Sequence, residues 1–385
     1  MFLSLHPTDL HNLAGSRLLK EERKELYLHI LIRSLAVSLL TFFVPVYLLK
    51  IGFSLSQTII YLLLNWGTFG LFSPFAAKIV ERFGIKEMLI ARVPLLVFVL
   101  MAITLLEYNH SLIMLYIAAV LFGVTSSVYW VSVGDLFAKF VGKKHKGERT
   151  SKFLGFPRLA EILGPFIGGF IAFQFGWTSL FVIITFVLFL SIVPLFFLKG
   201  EMDHPKFSFS VFKHFKNYFR EFRFLVAYGF RRHILAVLLP IVIFLNNINI
   251  FNLGILMSLV SLVNFLFTMK IGKITDGFGI RRVVRLGALS CMIISALMGY
   301  YVKSPLLMVL SVVLGFLTVL IDVPYETYLV VRSKQTKSPM DYVVFKEVSL
   351  SIGRVLLYVL VLILSYKFDV IFYLGSLASL IFVLF

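Results

Sequence analysis

Three observations predict an all-α membrane protein of twelve spanning helices in two pseudo-symmetric halves. Of 385 residues, 59% are apolar, 42 are phenylalanine and only 15% are charged, whereas charged residues make up about a quarter of an ordinary soluble domain. Such a chain has too little polar surface to face water on all sides, and lipid is the solvent that suits it. Apolar runs of the roughly 20 residues that cross a 30 Å hydrocarbon layer recur twelve times. Lys and Arg, 37 against 19 Asp and Glu, gather in every second connection.

The first six runs fall at 26–49, 57–79, 86–107, 111–138, 153–175 and 177–198, and the second six at 224–245, 252–271, 283–302, 305–331, 342–365 and 369–385. Arg231 and Arg232 interrupt the seventh, and the twelfth is short. Residues 1–25 carry Arg17, Lys20, Arg23 and Lys24 with no apolar core or small-residue cleavage site, so they read as a cytoplasmic segment and not a removable signal. The amino-terminal segment and the even-numbered connections hold 23 Lys and Arg, or 29 with the six in the flanking turns of the runs (Lys78, Lys86, Arg231, Arg232, Lys270 and Arg285), and the odd-numbered ones 3. Because cytoplasmic loops retain the basic excess, both termini are expected inside the cell. Placed this way, the basicity needs no nucleic acid to explain it. Tyr47, Trp177, Tyr300, Tyr301 and Tyr366 are expected as aromatic anchors at the outer interface. The single cysteine, Cys291, and eight histidines without ligand spacing give no disulfide framework, metal or cofactor to expect.

Residues 199–223 divide the chain near its middle, with Phe212, Phe215, Phe219 and Phe222 at helical spacing among Lys213, Lys216 and Arg220. They predict a cytoplasmic amphipathic linker helix on the inner leaflet. On either side lie the expected six-helix bundles, 26–198 and 224–385. A shift of 195 residues lays AKIVERFGIK (Ala77 to Lys86) on GKITDGFGIR (Gly272 to Arg281), and a small gap brings Arg33 onto Arg231. An internal repeat of this kind marks proteins that rock one half against the other around a central site.

The repeated segment resembles the loop signature of the major facilitator superfamily, G-x-L-x-D-R-x-G-R-K, between the second and third helix of each half. Arg82, Gly84 and Lys86 fit it in the first copy, with Glu81 at the acidic position; Gly272, Asp276, Gly279 and Arg281 fit it in the second. The run AxxxGPxxGG at Ala160, Gly164, Pro165, Gly168 and Gly169 is similar to the helix-5 motif of the family's exporters. Segments Val323 to Tyr328 and Phe345 to Arg354 resemble helices 10 and 11 of little-characterised prokaryotic members. The resemblance implies that the loop acids dock in the opposite half, Glu81 near the start of helix 11 (Tyr342, Lys346) and Asp276 near that of helix 5 (Lys152, Arg158). At the carboxyl end of a helix an acid is disfavoured by the dipole and needs such a partner, and contacts of this kind are worth roughly 0.3 to 2 kcal/mol. That strength suits a latch that opens on every cycle.

Ionisable groups inside spans are costly and mark a pathway or a paired network. Arg33, Asp135, Arg158, Glu161, Arg231, Arg232, Asp322, Glu326, Lys346, Glu347 and Arg354 qualify. Most sit in the cytoplasmic half of their spans and predict an inner gate of ion pairs. Two roles remain open for them: pairing and snorkelling alone, or, for Arg354, an anionic substrate group and, for Glu161 or Asp322, a proton. The fold implied by the resemblance lines its cavity with helices 1, 4, 7 and 10, which adds Tyr129, Trp130, Asn246, Asn247 and Tyr325 as substrate contacts. Gly164 and Pro165 are expected to serve bending and close packing.

The function so implied is that of a polytopic secondary transporter that moves a small solute by alternating access, coupled to protons, with efflux favoured by the helix-5 motif. No Walker A signature is present, and one chain suffices for the two-half architecture. A membrane-embedded transferase would need acid clusters at a membrane face, and a transporter-like sensor or scaffold would need an added domain of about 50 residues or more.

Overall fold

The computed structural model describes residues 7–140, 146–198, 204–213, 215–336 and 338–385. Among them the secondary structure is helical throughout, with no strand. In chain order the helices are α1 (Pro7–Thr41), α2 (Phe43–Lys50), α3 (Leu55–Phe83), α4 (Ile85–Asn109), α5 (Leu112–Phe140), α6 (Lys146–Gln174), α7 (Gly176–Phe196), α8 (Ser210–Lys213), α9 (Phe215–His233), α10 (Leu239–Leu245), α11 (Ile250–Phe278), α12 (Ile280–Tyr300), α13 (Leu306–Ser333), α14 (Pro339–Ile363) and α15 (Phe368–Leu380).

Ten helices, counting α1 with α2 and α9 with α10 as one span each, are long and apolar enough to cross a membrane. Two further helices fall outside that set: α14 has 25 residues, long enough at 1.5 Å per residue but rich in charge, and the apolar stretch Phe368–Leu384 is shorter. Leu71, Phe98, Ile113, Phe186, Val309 and Ile363 leave large apolar side chains on the outside. A surface of that kind is stable against acyl chains and not against water.

Proline sets where the first and seventh spans depart from a plain helix. Pro45 has no N–H and its ring crowds the carbonyl of Thr41, and α1 ends at Thr41. Pro240 crowds Ala236 in the same way, and here the chain passes through a π-helical turn, Ile234–Leu238, which absorbs the lost bond without a break. The seventh span starts earlier than its apolar run suggests. Phe215 to Phe222, read from sequence as part of a separate interfacial helix, belong to α9, so the boundary placed at 223 falls inside a continuous helix. Their period fits a helix, but periodicity alone does not say where that helix stops.

One pair of equivalent helices, α3 and α11, keeps equal bounds under the 195-residue shift. Both α3 and α11 have 29 residues. Ser54 caps α3 through a capping box with Gln57, and Asn249 caps α11 by accepting from Asn252 N, each satisfying a free N–H of the first turn. Both helices end on a glycine that also begins the next helix, Gly84 with φ 92° and Gly279 with φ 87°. Side chains with a Cβ rarely adopt that conformation.

Packing is closest between α6 and α11, and α3 lies against α14 as well as α5. The outer aromatic belt differs from expectation. Tyr47 and Trp177 are buried, their rings 5.1 Å apart, and Tyr47 Oη donates to the carbonyls of Ile103 and Thr104. They bind α2, α4 and α7 to one another, while Tyr300 is exposed.

Candidate functional site

At the end of the molecule that carries the basic connections, the two repeat turns are anchored differently. Asp276, in the last turn of α11, accepts from Gly147 N at 2.8 Å and Glu148 N at 3.0 Å. Its carboxylate thus caps the first turn of α6, where free N–H groups and the positive end of the helix dipole converge. The contact is to backbone, and the side chains of Lys152 and Arg158 are engaged elsewhere, Lys152 with Glu148 at 2.8 Å and Arg158 with Thr268 Oγ1. Gly147 permits the approach, since a Cβ there would stand 2.9 Å from the Asp276 carboxylate.

Glu81, the corresponding acid of α3, pairs with Lys78 of its own helix at 2.8 Å. Near the start of α14 a different acid is satisfied: Asp341 accepts from the N and Oγ of both Ser208 and Ser210. Segment 204–213 is therefore a strap. It holds α14 through Asp341 and Ser338, which donates to Lys206 O, and it holds α3 through Lys78 Nζ, which donates to Phe207 O at 2.6 Å, and His204, whose ring bonds Glu81 O. Lys86 donates to Leu198 O at 3.0 Å, Arg82 stacks on Phe83, and Arg281 lines a cleft with Asp276, Gly279 and Lys146.

Deeper in, charges from α9, α13 and α14 form one network. Arg231 meets Asp322 at 2.6 Å with both side chains buried. Glu326 faces Lys346 at 3.3 Å and Arg232 at 4.0 Å, Lys346 also faces Glu347 at 3.5 Å, and Glu347 reaches Arg354 at 3.9 Å. Alternating signs let each buried charge find a partner in a medium where an unpaired one costs several kcal/mol. Arg354 ends the chain against aromatic faces of α3, 4.3 Å from the Trp66 ring and 5.0 Å from Phe69. The same indole meets the His233 ring at 4.4 Å, edge to face, and His233 Nδ1 lies 3.1 Å from Tyr358 Oη. The Arg354 Nε and Nη1 have no hydrogen-bond partner.

A second group of bases lies among α1, α4 and α5. Arg33 stacks 3.4 Å from the Tyr129 ring centroid and 5.8 Å from that of Trp130. Arg92 lies 4.6 Å from the same Tyr129 ring and donates to Thr125 O at 3.2 Å. Asp135 is buried on α5. Glu161, one turn beyond Arg158 on α6, is half-buried and has no Lys or Arg within ion-pair distance among the described residues. The helix-5 glycines are packing sites: Cβ atoms at Gly164 and Gly168 would strike Ser38 and Phe43 of the first span, and one at Gly169 would stand 3.0 Å from Ile250 O.

Three of the residues expected as substrate contacts stand at a helix end or in the packed interior. Asn246 ends α10 and donates to Val302 O at 2.8 Å, and Asn247 follows in the turn with φ 63°. Tyr325 is buried against Tyr228 and Phe382 at 5.1 Å each. Conversely, Arg92, Trp66, His233 and Asp341 join these clusters without having been singled out. Arg92 carried a signal, an intramembrane base; the others have none that distinguishes them from core or loop. Among the described residues no group of three His, Cys, Asp or Glu is placed to hold a metal.

Comparison with known proteins bears on what this arrangement serves. The family model described as Major Facilitator Superfamily matches residues 26–230. A stretch of 109 residues is 31% identical to an uncharacterised MFS-type transporter of Schizosaccharomyces pombe, covering 28% of this chain and 24% of that protein. Among solved structures, a bacterial homologue of the iron transporter ferroportin in an outward-facing state superposes with a TM-score of 0.70 at 16% identity, over 94% of this chain and 98% of the other. The human organic anion transporter MFSD10 gives 0.67 at 12% identity over 95% and 98%, and the nucleoside transporter NupG 0.66 at 12% over 94% and 97%. At these identities the likeness is one of fold.

Proposed function

The chain belongs to the major facilitator superfamily and is a membrane transporter, and from that premise we propose that it is a secondary transporter moving a small solute across the cell membrane by alternating access. Its helices form two bundles of six, 26–198 and 224–385, joined through 199–223, the end of which runs on into the second bundle as the first turns of α9, with both termini and the basic end in the cytoplasm. The equal bounds of α3 and α11 under the 195-residue shift support the two-half reading, and the distribution of Lys and Arg supports the orientation.

One observation carries the mechanism: the buried charge network of α9, α13 and α14 lies beside α6, whose Arg158 bonds Thr268 of α11. Ion pairs in a low-dielectric interior are strong when made and costly when broken, so such a network favours discrete arrangements over a continuum. The cap by Asp276 and the Arg158–Thr268 contact hold the cytoplasmic end closed. Opening exchanges them for solvent. Glu161 is the better placed of the two proton candidates, because Asp322 is held by Arg231 at 2.6 Å and a proton there must first displace a guanidinium. The resemblance of 160–169 to the exporters' motif favours efflux.

A thermal-shift screen of the purified protein against metabolites and drugs supplies the solute, since a ligand of the folded state raises its melting temperature. In proteoliposomes Glu161→Gln is then expected to abolish pH-driven uptake of that solute and to leave solute exchange intact. Full driven activity in both Glu161→Gln and Asp322→Asn removes the proton-coupling clause. No flux of any binding solute removes the transport reading.

A further inference from the structure

Arg33 and Arg92 are two buried charges without a contact ion pair among the described residues. Arg33 of α1 is 7% exposed and Arg92 of α4 is 4% exposed, and neither has a carboxylate within 4.0 Å among the described residues. Three of their nitrogens, Arg33 Nε and Arg92 Nε and Nη2, are buried with no acceptor. Both guanidinium groups face one ring, that of Tyr129, at 3.4 and 4.6 Å from its centroid. The ring face offsets part of a cation's lost hydration, but one aromatic ring is no counter-ion for two guanidinium groups that also repel each other. The contrast lies in the same molecule: every buried base of the α9, α13 and α14 network has a carboxylate within reach.

Buried bases with no carboxylate in contact, Glu161 acting on Arg33 only from beyond ion-pair distance, leave room for an acid from outside. We propose that Arg33 and Arg92 form a binding site for an oxyanion, a carboxylate or phosphate group, and that this group belongs to the transported solute; the second clause rests on the transport reading above. Guanidinium donors are planar forks that fit the two oxygens of such a group, and sharing Tyr129 keeps the two guanidinium carbons no more than 8.0 Å apart, a gap that one oxyanion can bridge when both forks turn toward it. Trp130, 37% exposed and 5.8 Å from Arg33, marks the side from which the solute arrives. Arg33 lies on the first span and Arg92 on α4, so an anion between them also ties two helices together and its binding biases their packing.

The test is thermal stability of the purified full chain in a zwitterionic detergent at constant ionic strength, titrated separately with sodium phosphate, sodium acetate and glucose. A saturable rise in melting temperature is expected with at least one of the two anions and none with glucose. Arg33→Gln and Arg92→Gln are each expected to raise the half-saturating concentration at least tenfold, and Lys303→Gln, at an exposed loop, to leave it unchanged. Where a Gln variant does not fold, Arg33→Lys and Arg92→Lys keep the charge without the fork and are expected to weaken binding severalfold. Half-saturation within twofold of the native value in the variants of both positions, or no response to either anion, overturns the site. Stabilisation by phosphatidic acid micelles with none by soluble phosphate or acetate places a lipid headgroup there and overturns the solute clause. Failure of flux in proteoliposomes with anion stabilisation intact removes transport and leaves the oxyanion site standing.

Discussion

The turn between α3 and α4 and the turn between α11 and α12 have one backbone and two chemistries. Gly84 and Gly279 share a positive φ, and each closes its helix with a bond to the carbonyl four residues back, Val80 at 2.9 Å and Thr275 at 3.1 Å. Yet the acid three residues before each glycine does different work. Asp276 reaches across to cap α6, whereas Glu81 stays on its own helix with Lys78, and the start of α14 is held instead by the strap through Asp341. A duplicated backbone therefore does not impose duplicated contacts. The turn is dictated locally by a residue without a Cβ, while the partner of its acid depends on what other chain lies nearby. Segment 204–213 occupies the neighbourhood of the first turn and supplies there the donors that Asp341 needs.

The largest expected difference follows from Asp276. Its removal leaves two backbone N–H groups at the start of α6 without their charged acceptor, and losing a charged cap costs about 1 to 2 kcal/mol. With spin labels on cysteines placed at Arg149 and Phe278, Asp276→Ala is expected to move the population of the short distance toward the long one by about five- to thirtyfold in ratio. The native Cys291 is fully buried and does not compete for label. Unchanged distances would mean that the cap does not hold the two helices together.

Much of this asymmetry was beyond reach of the sequence, for reasons that differ by residue. The spans were legible because hydrocarbon demands about 20 apolar residues whatever the tertiary context, and the turns because Gly84 and Gly279 recur at a fixed offset. The charged residues of α9, α13 and α14 stood out as intramembrane charges, but which acid meets which base depends on helix rotation, which an apolar pattern fixes only loosely. Asn246 and Asn247 were expected as substrate contacts from the helix they belong to, and the structure places them at the end of α10, a role that Asn shares with Gly. Asp341 had no signal at all: its meaning lies in four donors from Ser208 and Ser210, 133 and 131 positions away along the chain.

A middle-sized effect is expected at Asp341. Asp341 is itself buried while its serine donors are partly open to solvent, and replacing the carboxylate by an amide, which keeps one acceptor and adds mismatched donors, costs about 1 kcal/mol. Asp341→Asn is therefore expected to speed tryptic cleavage after Lys206 or Lys213 about fivefold, in the regime where cleavage follows the population of the released strap. The distance between labels at 149 and 278 is expected to stay as it was. A change in both readouts would show that the strap and the Asp276 cap form one cooperative unit and not two separate anchors.

The smallest effect is expected where the loop signature places its first acid. Lys78 and Glu81 form an i,i+3 pair with side chains 50% and 29% exposed, and such surface pairs contribute less than about 0.5 kcal/mol once solvent screening is counted. Lys78 has a second hold, the 2.6 Å bond to Phe207 O, and lies 5.7 Å from the Phe207 ring centroid. Glu81→Gln is accordingly expected to alter neither the label distance nor strap cleavage measurably, while Lys78→Gln speeds cleavage by about twofold through the lost bond to the strap. If Glu81→Gln instead opened the basic end as far as Asp276→Ala, the two acids would be equivalent latches despite their different partners. The geometry of the static pair would then say nothing about its part in the cycle, and the contrast between the two turns would collapse.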